Sequence, residues 1–126
     1  MSELVNAVVK DRRRALAMGH GIYWIISGIW PILHIRSFEA VTGPKVDRWL
    51  VKAVAALITV IGAGLVQGAR SDRVTPELET VAVGSALGLT AVDIVYVSKR
   101  RISPIYLLDA VAHTALAIAW RRTRAD

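Results

Sequence analysis

Two aspartates and a histidine in apolar surroundings carry the chemistry this chain can offer. Asp93 lies six residues before Lys99, and Asp109 lies six residues after Ser103. If the segments flanking the 99–103 turn are antiparallel helices, these equal offsets place both carboxyls at one depth. At 1.5 Å per residue that depth is roughly 9 Å below the turn. His113 follows Asp109 by four residues, so the two share a helix face, where the carboxylate can accept an imidazole N–H. Two neighbouring carboxylates can hold one proton between them. With His113 they could relay protons, bind a cation or hold a polar ligand. An aspartate ionised in mid-membrane costs roughly 2.5–3.5 kcal/mol on insertion scales, so two of them need a reason. The structural alternative to function is pairing with Lys52, Arg48, Tyr96 or the helix ends. The candidate site is therefore Asp93, Asp109, His113 and Lys52, with His34, Glu39, Arg48, Tyr96 and Tyr106 as its rim. His34 and Glu39, near the end of an apolar stretch, could equally face water.

Other chemistries lack their parts. No HExxH, P-loop or GxSxG pattern occurs, so no enzyme is expected. The chain has no cysteine, which removes disulfides and thiolate metal sites. Asp109, His113 and Asp93 are too few to specify a metal. His20 and His34 are 14 residues apart in one helical segment, a spacing similar to that of two-haem membrane cytochromes. Only His113 remains as a partner, so bis-histidine ligation of two haems cannot be completed, and no cofactor is expected.

The elements that must position these groups follow from charge patterning. Over its 126 residues the chain is 54% hydrophobic and 21% charged. The charges avoid four stretches. Residues 15–35 and 53–69 contain no Asp, Glu, Lys or Arg; residues 80–98 contain only Asp93, and residues 102–120 only Asp109. A bilayer core takes about 20 mostly apolar helical residues. The pattern predicts an all-α fold, a four-helix transmembrane up-down bundle of two antiparallel hairpins, with spans at about 16–35, 49–68, 78–98 and 104–120. One integral membrane domain uses the whole chain and leaves no room for a separate soluble catalytic domain.

Local signals mark the ends of these spans. Residues 1–14 form a short polar arm ending in a basic run, and the 21-residue apolar stretch after it is too long for a secretion signal. Pro31 predicts a kink near the end of span one. Thr42 with Gly43-Pro44, Thr75-Pro76 and Ser103-Pro104 mark the helix starts that follow. Trp30, Trp49, Tyr96 and Tyr106 are expected at one membrane face, and Tyr23, Trp24 and Trp120 toward the other; the alternative, a single aromatic filling a gap between helices, applies best to Trp24. Gly64 with Gly68, and Gly84 with Gly88, put small residues on one helix face, for packing within the monomer or between copies.

The net charge is +6. Its clusters (Lys10 to Arg14, Lys99 to Arg101, and Arg121, Arg122 and Arg124) flank apolar stretches, so lipid headgroups rather than nucleic acid are the expected partner. Nine basic residues fall on the side of the termini and seven on the other, which favours cytoplasmic termini.

The segments SFEAVTGPKVDRWLVK (residues 37–52), VDIVY (92–96) and ISPIYLLD (102–109) resemble segments of small uncharacterised bacterial four-span integral membrane proteins. With the span spacing, the resemblance covers most of the chain. It implies the bacterial cytoplasmic (inner) membrane and carries no activity with it. The small multidrug transporters are also short four-span proteins, but they place their coupling acid in the first span, where this chain has none. Two roles are expected: a structural, accessory or partner-binding membrane protein, in which a homo-oligomer or a membrane protein is the partner, or a proton- or cation-coupled small-molecule transporter using the intramembrane carboxylates.

Overall fold

The computed structural model describes residues 2–123. Arg124, counted above with the basic residues beside the termini, lies outside them. The described residues form five helices and no strand: α1 (Ser2–Leu33), α2 (Ile35–Thr42), α3 (Arg48–Arg70), α4 (Pro76–Ser98) and α5 (Tyr106–Arg122). The fold is all-helical, as expected, but the count of four is corrected to five. The extra helix is α2, in the polar connection after span one. The α1 helix ends two residues beyond Pro31, and His34 leaves helical geometry at φ −148° to cap the next helix. Its Nδ1 accepts the backbone N–H of Ser37.

Other boundaries also move. The basic arm is helical from Ser2 and continuous with span one. Three helices, α1, α3 and α4, are long and apolar enough to cross a membrane. The fourth expected span yields a helix of 17 residues, about 25 Å long, because residues 103–105 form a turn in which Tyr106 N–H donates to Ser103 O. Thr75 caps α4 by accepting the N–H of Leu78 at 3.1 Å, with Pro76 in the first turn.

The helices pair as α1 with α3 and α4 with α5, and α1 also touches α5. Glycine sets the α1–α3 distance. A Cβ on Gly21 would lie 2.6 Å from the carbonyl oxygen of Gly62, and one on Gly28 would lie 2.5 Å from that of Ala55. Such backbone approach is the packing available where lipid supplies no hydrophobic drive between helices. The glycine pairs singled out by spacing do otherwise. Around Gly64, Gly84 and Gly88 an added Cβ meets nothing within 4 Å, and only Gly68 is tight, against Leu78.

The apolar side chains are arranged inside-out. Most of the buried apolar residues are alanines, joined by Leu65, Trp24 and Trp120, while Ile26, Leu57, Val60, Leu108 and Val111 are each more than 60% exposed. Contiguous apolar exterior on this scale is foreign to a water-facing monomer. At the end near the termini, Arg13 ties the hairpins together: its guanidinium pairs with the buried Glu79 at 2.6 Å, donates to Thr123 Oγ1 at 3.2 Å and lies over the Trp120 ring. At the opposite end Lys45 Nζ lies 4.8 Å from the Tyr106 ring centre, which brings the α2–α3 and α4–α5 connections together.

Candidate functional site

The site forms where α1, α4 and α5 meet. On α1 the buried residues are Ala17, His20, Gly21, Trp24, Gly28 and Pro31. They follow the three- and four-residue spacing of one helix face. The face holds two kinds of contact. Gly21 and Gly28 let α3 approach, and His20 and Trp24, with the adjacent Tyr23, meet α5.

One ligand atom from each of Asp93, Asp109 and His113 lies within 4.8 Å of the others. Asp93 and His113 are 4% and 3% exposed, whereas the Asp109 side chain keeps 32% of its surface. Each Asp109 oxygen has a donor beside it. Tyr23 donates its hydroxyl to Oδ1 at 2.6 Å, and His113 Nδ1 lies 3.2 Å from Oδ2 and 2.9 Å from the Asp109 carbonyl oxygen. On the other side of the imidazole, Trp24 Nε1 donates to His113 Nε2 at 3.0 Å. The Oδ2 of Asp93 is buried without a hydrogen-bond partner.

A second tryptophan–histidine pair lies closer to the termini. Trp120 Nε1 donates to His20 Nδ1 at 3.1 Å, and His20 Nε2 is buried without a partner. The two pairs are reciprocal, since α1 supplies the donor in one and α5 in the other. The His20 ring also meets Trp24 edge-on, with centroids 5.0 Å apart.

The remaining candidates lie elsewhere. Lys52 is exposed on α3, and among the described residues no ion pair joins a lysine or arginine to Asp93 or Asp109. Arg48 pairs instead with Glu39, at 2.6 Å. Tyr96 is 43% exposed with Lys99 over its ring, and Tyr106 faces Lys45. His34 serves as the α2 cap. Neither expected basic partner of the acids takes that role, and Tyr23, Trp24, His20 and Trp120 surround the cluster instead. The aromatic assignment changes accordingly. Trp24 and Trp120 are buried and Tyr23 is hydrogen-bonded inward, so these three do not form an outer belt, whereas Trp49 is 69% exposed.

Comparison with protein-family models, curated proteins and solved structures returns no match to this chain.

Proposed function

We propose that this chain is a four-span integral membrane protein, an up-down arrangement of two antiparallel hairpins plus the short α2, whose Asp93–Asp109–His113 cluster binds the coupling cation for movement of a small solute. In this reading α5 is the fourth span, with Arg121 and Arg122 reaching to the headgroups to offset its short length. The inside-out distribution of apolar side chains supports the membrane setting. The resemblance of residues 37–52, 92–96 and 102–109 to small bacterial membrane proteins supports the bacterial inner membrane, and the nine-to-seven distribution of basic residues supports cytoplasmic termini. We assign no catalytic role.

One observation carries the functional reading: Asp93 is 4% exposed, and among the described residues its Oδ2 has no donor and neither acid is matched by lysine or arginine. Buried polar atoms in folded proteins are satisfied in the great majority of cases. An intramembrane carboxyl with no basic partner among the described residues and one oxygen left without a donor marks an ion path more often than a strut.

A structural or accessory role has its own support. Tyr23–Asp109, Trp24–His113 and Trp120–His20 all tie α1 to α5. In that role the protein's partners are lipids and a second copy or another membrane protein. The two readings part at Asp93, whose Oδ2 ties nothing.

The test reconstitutes the full chain in liposomes and follows tryptophan emission, because Trp24 touches the cluster, during separate titrations with acid, sodium chloride and zinc chloride. A saturable response to one cation that Asp93→Asn abolishes, at unchanged helix content and insertion, supports the coupling role. Identical titrations for wild type and Asp93→Asn refute it and leave the structural role.

A further inference from the structure

We infer that the ion bound at this cluster is a proton rather than a metal ion, and that Trp24 is the positioning residue that makes it so. The inference rests on the cation-binding reading above and specifies its ligand.

Lone pairs decide between the two ions. An indole N–H can only donate. Because Trp24 Nε1 lies 3.0 Å from His113 Nε2, that nitrogen must present its lone pair to Trp24. A neutral imidazole carries one N–H, so the proton is on Nδ1, where it meets the carbonyl and carboxylate oxygens of Asp109. Both nitrogens are then committed, and His113 has no lone pair for a metal. A metal would need Trp24 to withdraw or His113 to change tautomer, and the change would turn an Nε2–H against the indole N–H.

The carboxylates point the same way. Asp109 already accepts from Tyr23 at Oδ1 and faces Nδ1–H of His113 at Oδ2. Its charge is well served where it is, and a metal would compete with both donors. Asp93 has the free oxygen. A neutral carboxyl oxygen buried without a donor costs far less than a charged one, so the proton belongs on Asp93. The step is simple addition: the Asp93 carboxylate plus one proton gives the carboxylic acid, with no other bond made or broken. The titratable groups facing the cluster are Tyr23 and His20 from α1, Asp93 from α4, and Asp109 beside His113 on α5.

Trp24 also links the proton to movement. His113 cannot take a second proton while the indole N–H occupies Nε2. If a proton reaches His113, the Trp24 bond must break, which loosens a buried contact between the hairpins.

Nitrogen-15 NMR of histidine-labelled full-length protein in lipid bilayers reads the tautomers directly. His113 is expected as Nδ1–H. His20 and His34 accept at Nδ1, from Trp120 and from the Ser37 N–H respectively, so both are expected as Nε2–H and serve as internal references. His20→Gln and His34→Gln complete the assignment. Addition of zinc chloride or sodium chloride should leave the His113 signals in place, while acid titration shows one proton more taken up per wild-type chain than per Asp93→Asn chain. Trp24→Phe should release the tautomer, so that His113 shows Nε2–H in part.

An Nε2–H tautomer for wild-type His113, or a His113 shift on zinc addition, overturns the inference while leaving cation binding intact. Absence of both proton uptake and metal response overturns the cation-binding reading itself. If Trp24→Phe does not fold, the wild-type tautomer and the zinc titration still decide.

Discussion

Trp24 on α1 donates its indole N–H to Nε2 of His113 on α5 across 3.0 Å, with both side chains buried. This bond joins the α1–α3 pair to the α4–α5 pair, and it fixes which face of His113 turns toward Asp109. Its reciprocal, Trp120 to His20, lies closer to the termini on the same interface.

The two tryptophan–histidine bonds should therefore contribute to stability as well as to chemistry. A double-mutant cycle with Trp120→Phe and His20→Phe, read by thermal unfolding in detergent micelles, is expected to give a coupling energy of about 1 kcal/mol, within the range of interhelical hydrogen bonds in membranes. A coupling of zero would mean that the pair is a contact without energetic weight.

Glycine positions should separate cleanly. Gly21→Ala places a methyl 2.6 Å from the Gly62 carbonyl oxygen, so the α1–α3 helices must part. The expected loss is about 1–3 kcal/mol, as for overpacking. Gly84→Ala and Gly88→Ala meet nothing within 4 Å and should be neutral or slightly stabilising, since alanine is the better helix former by about 1 kcal/mol. Unfolding measurements on the three variants check the order. If a Gly84 or Gly88 variant keeps its fold but changes the oligomeric state, that open face lies between copies.

Glu79 is 5% exposed and pairs with Arg13 at 2.6 Å. Glu79→Ala leaves the guanidinium beside Trp120 with one fewer acceptor and should cost about 3 kcal/mol, as when one partner of a buried pair is removed. Replacing both, with Arg13→Met and Glu79→Leu, should recover much of that loss in the same unfolding assay. A double variant as unstable as the single one would contradict the assignment.

Asp72, in the connection between α3 and α4, has an exposed side chain (41%) and accepts a contact from Lys10 at 2.7 Å. The Lys10 hydrogen bond holds its carboxyl below the ordinary value of 3.8. A carboxyl lowered in the folded state favours folding at pH above its unfolded value, and that contribution fades as pH falls through the folded value. Wild-type protein should thus lose a small increment of stability on acidification below about pH 4, and more so at low salt, where exposed charges are less screened. Asp72→Asn should lack that increment. Unfolding midpoints of both proteins between pH 3 and pH 7 test this.

These relationships show what one sequence can disclose about the site. The common depth of Asp93 and Asp109 and the shared face of Asp109 and His113 follow from distances counted along the chain, equal offsets from a turn and a four-residue step on a helix, whereas the convergence of the two carboxyls does not. Such intervals need only helix geometry. The groups opposite them were not legible, because the rotation of α1 about its axis depends on which of its faces packs. One signal was present. Gly21 and Gly28 lie on the same face as His20 and Trp24, and close-packing glycines on that face imply that its polar residues turn inward too. The pairing expected for Lys52 and Arg48 relied on shared depth alone, and depth does not fix direction around a helix. Gly64, Gly84 and Gly88 illustrate the same limit, since close approach requires a partner opposite as well as spacing along one helix. The helix α2 was missed because Thr42-Gly43-Pro44 reads as a turn, while the cap that starts the helix is His34, whose Nδ1 takes a role usually held by Ser, Thr, Asp or Asn.

In the proposed role, Asp93 and Asp109 hold an exchangeable proton inside the membrane. Infrared spectroscopy of the full chain in liposomes addresses it directly. The account predicts a protonated-carboxyl C=O band that comes and goes reversibly as pH is cycled, shifts in D2O and disappears in Asp93→Asn, while Tyr96→Phe leaves it unchanged. A spectrum with no such band at any pH at which the helices persist, or a band that survives Asp93→Asn, would contradict it.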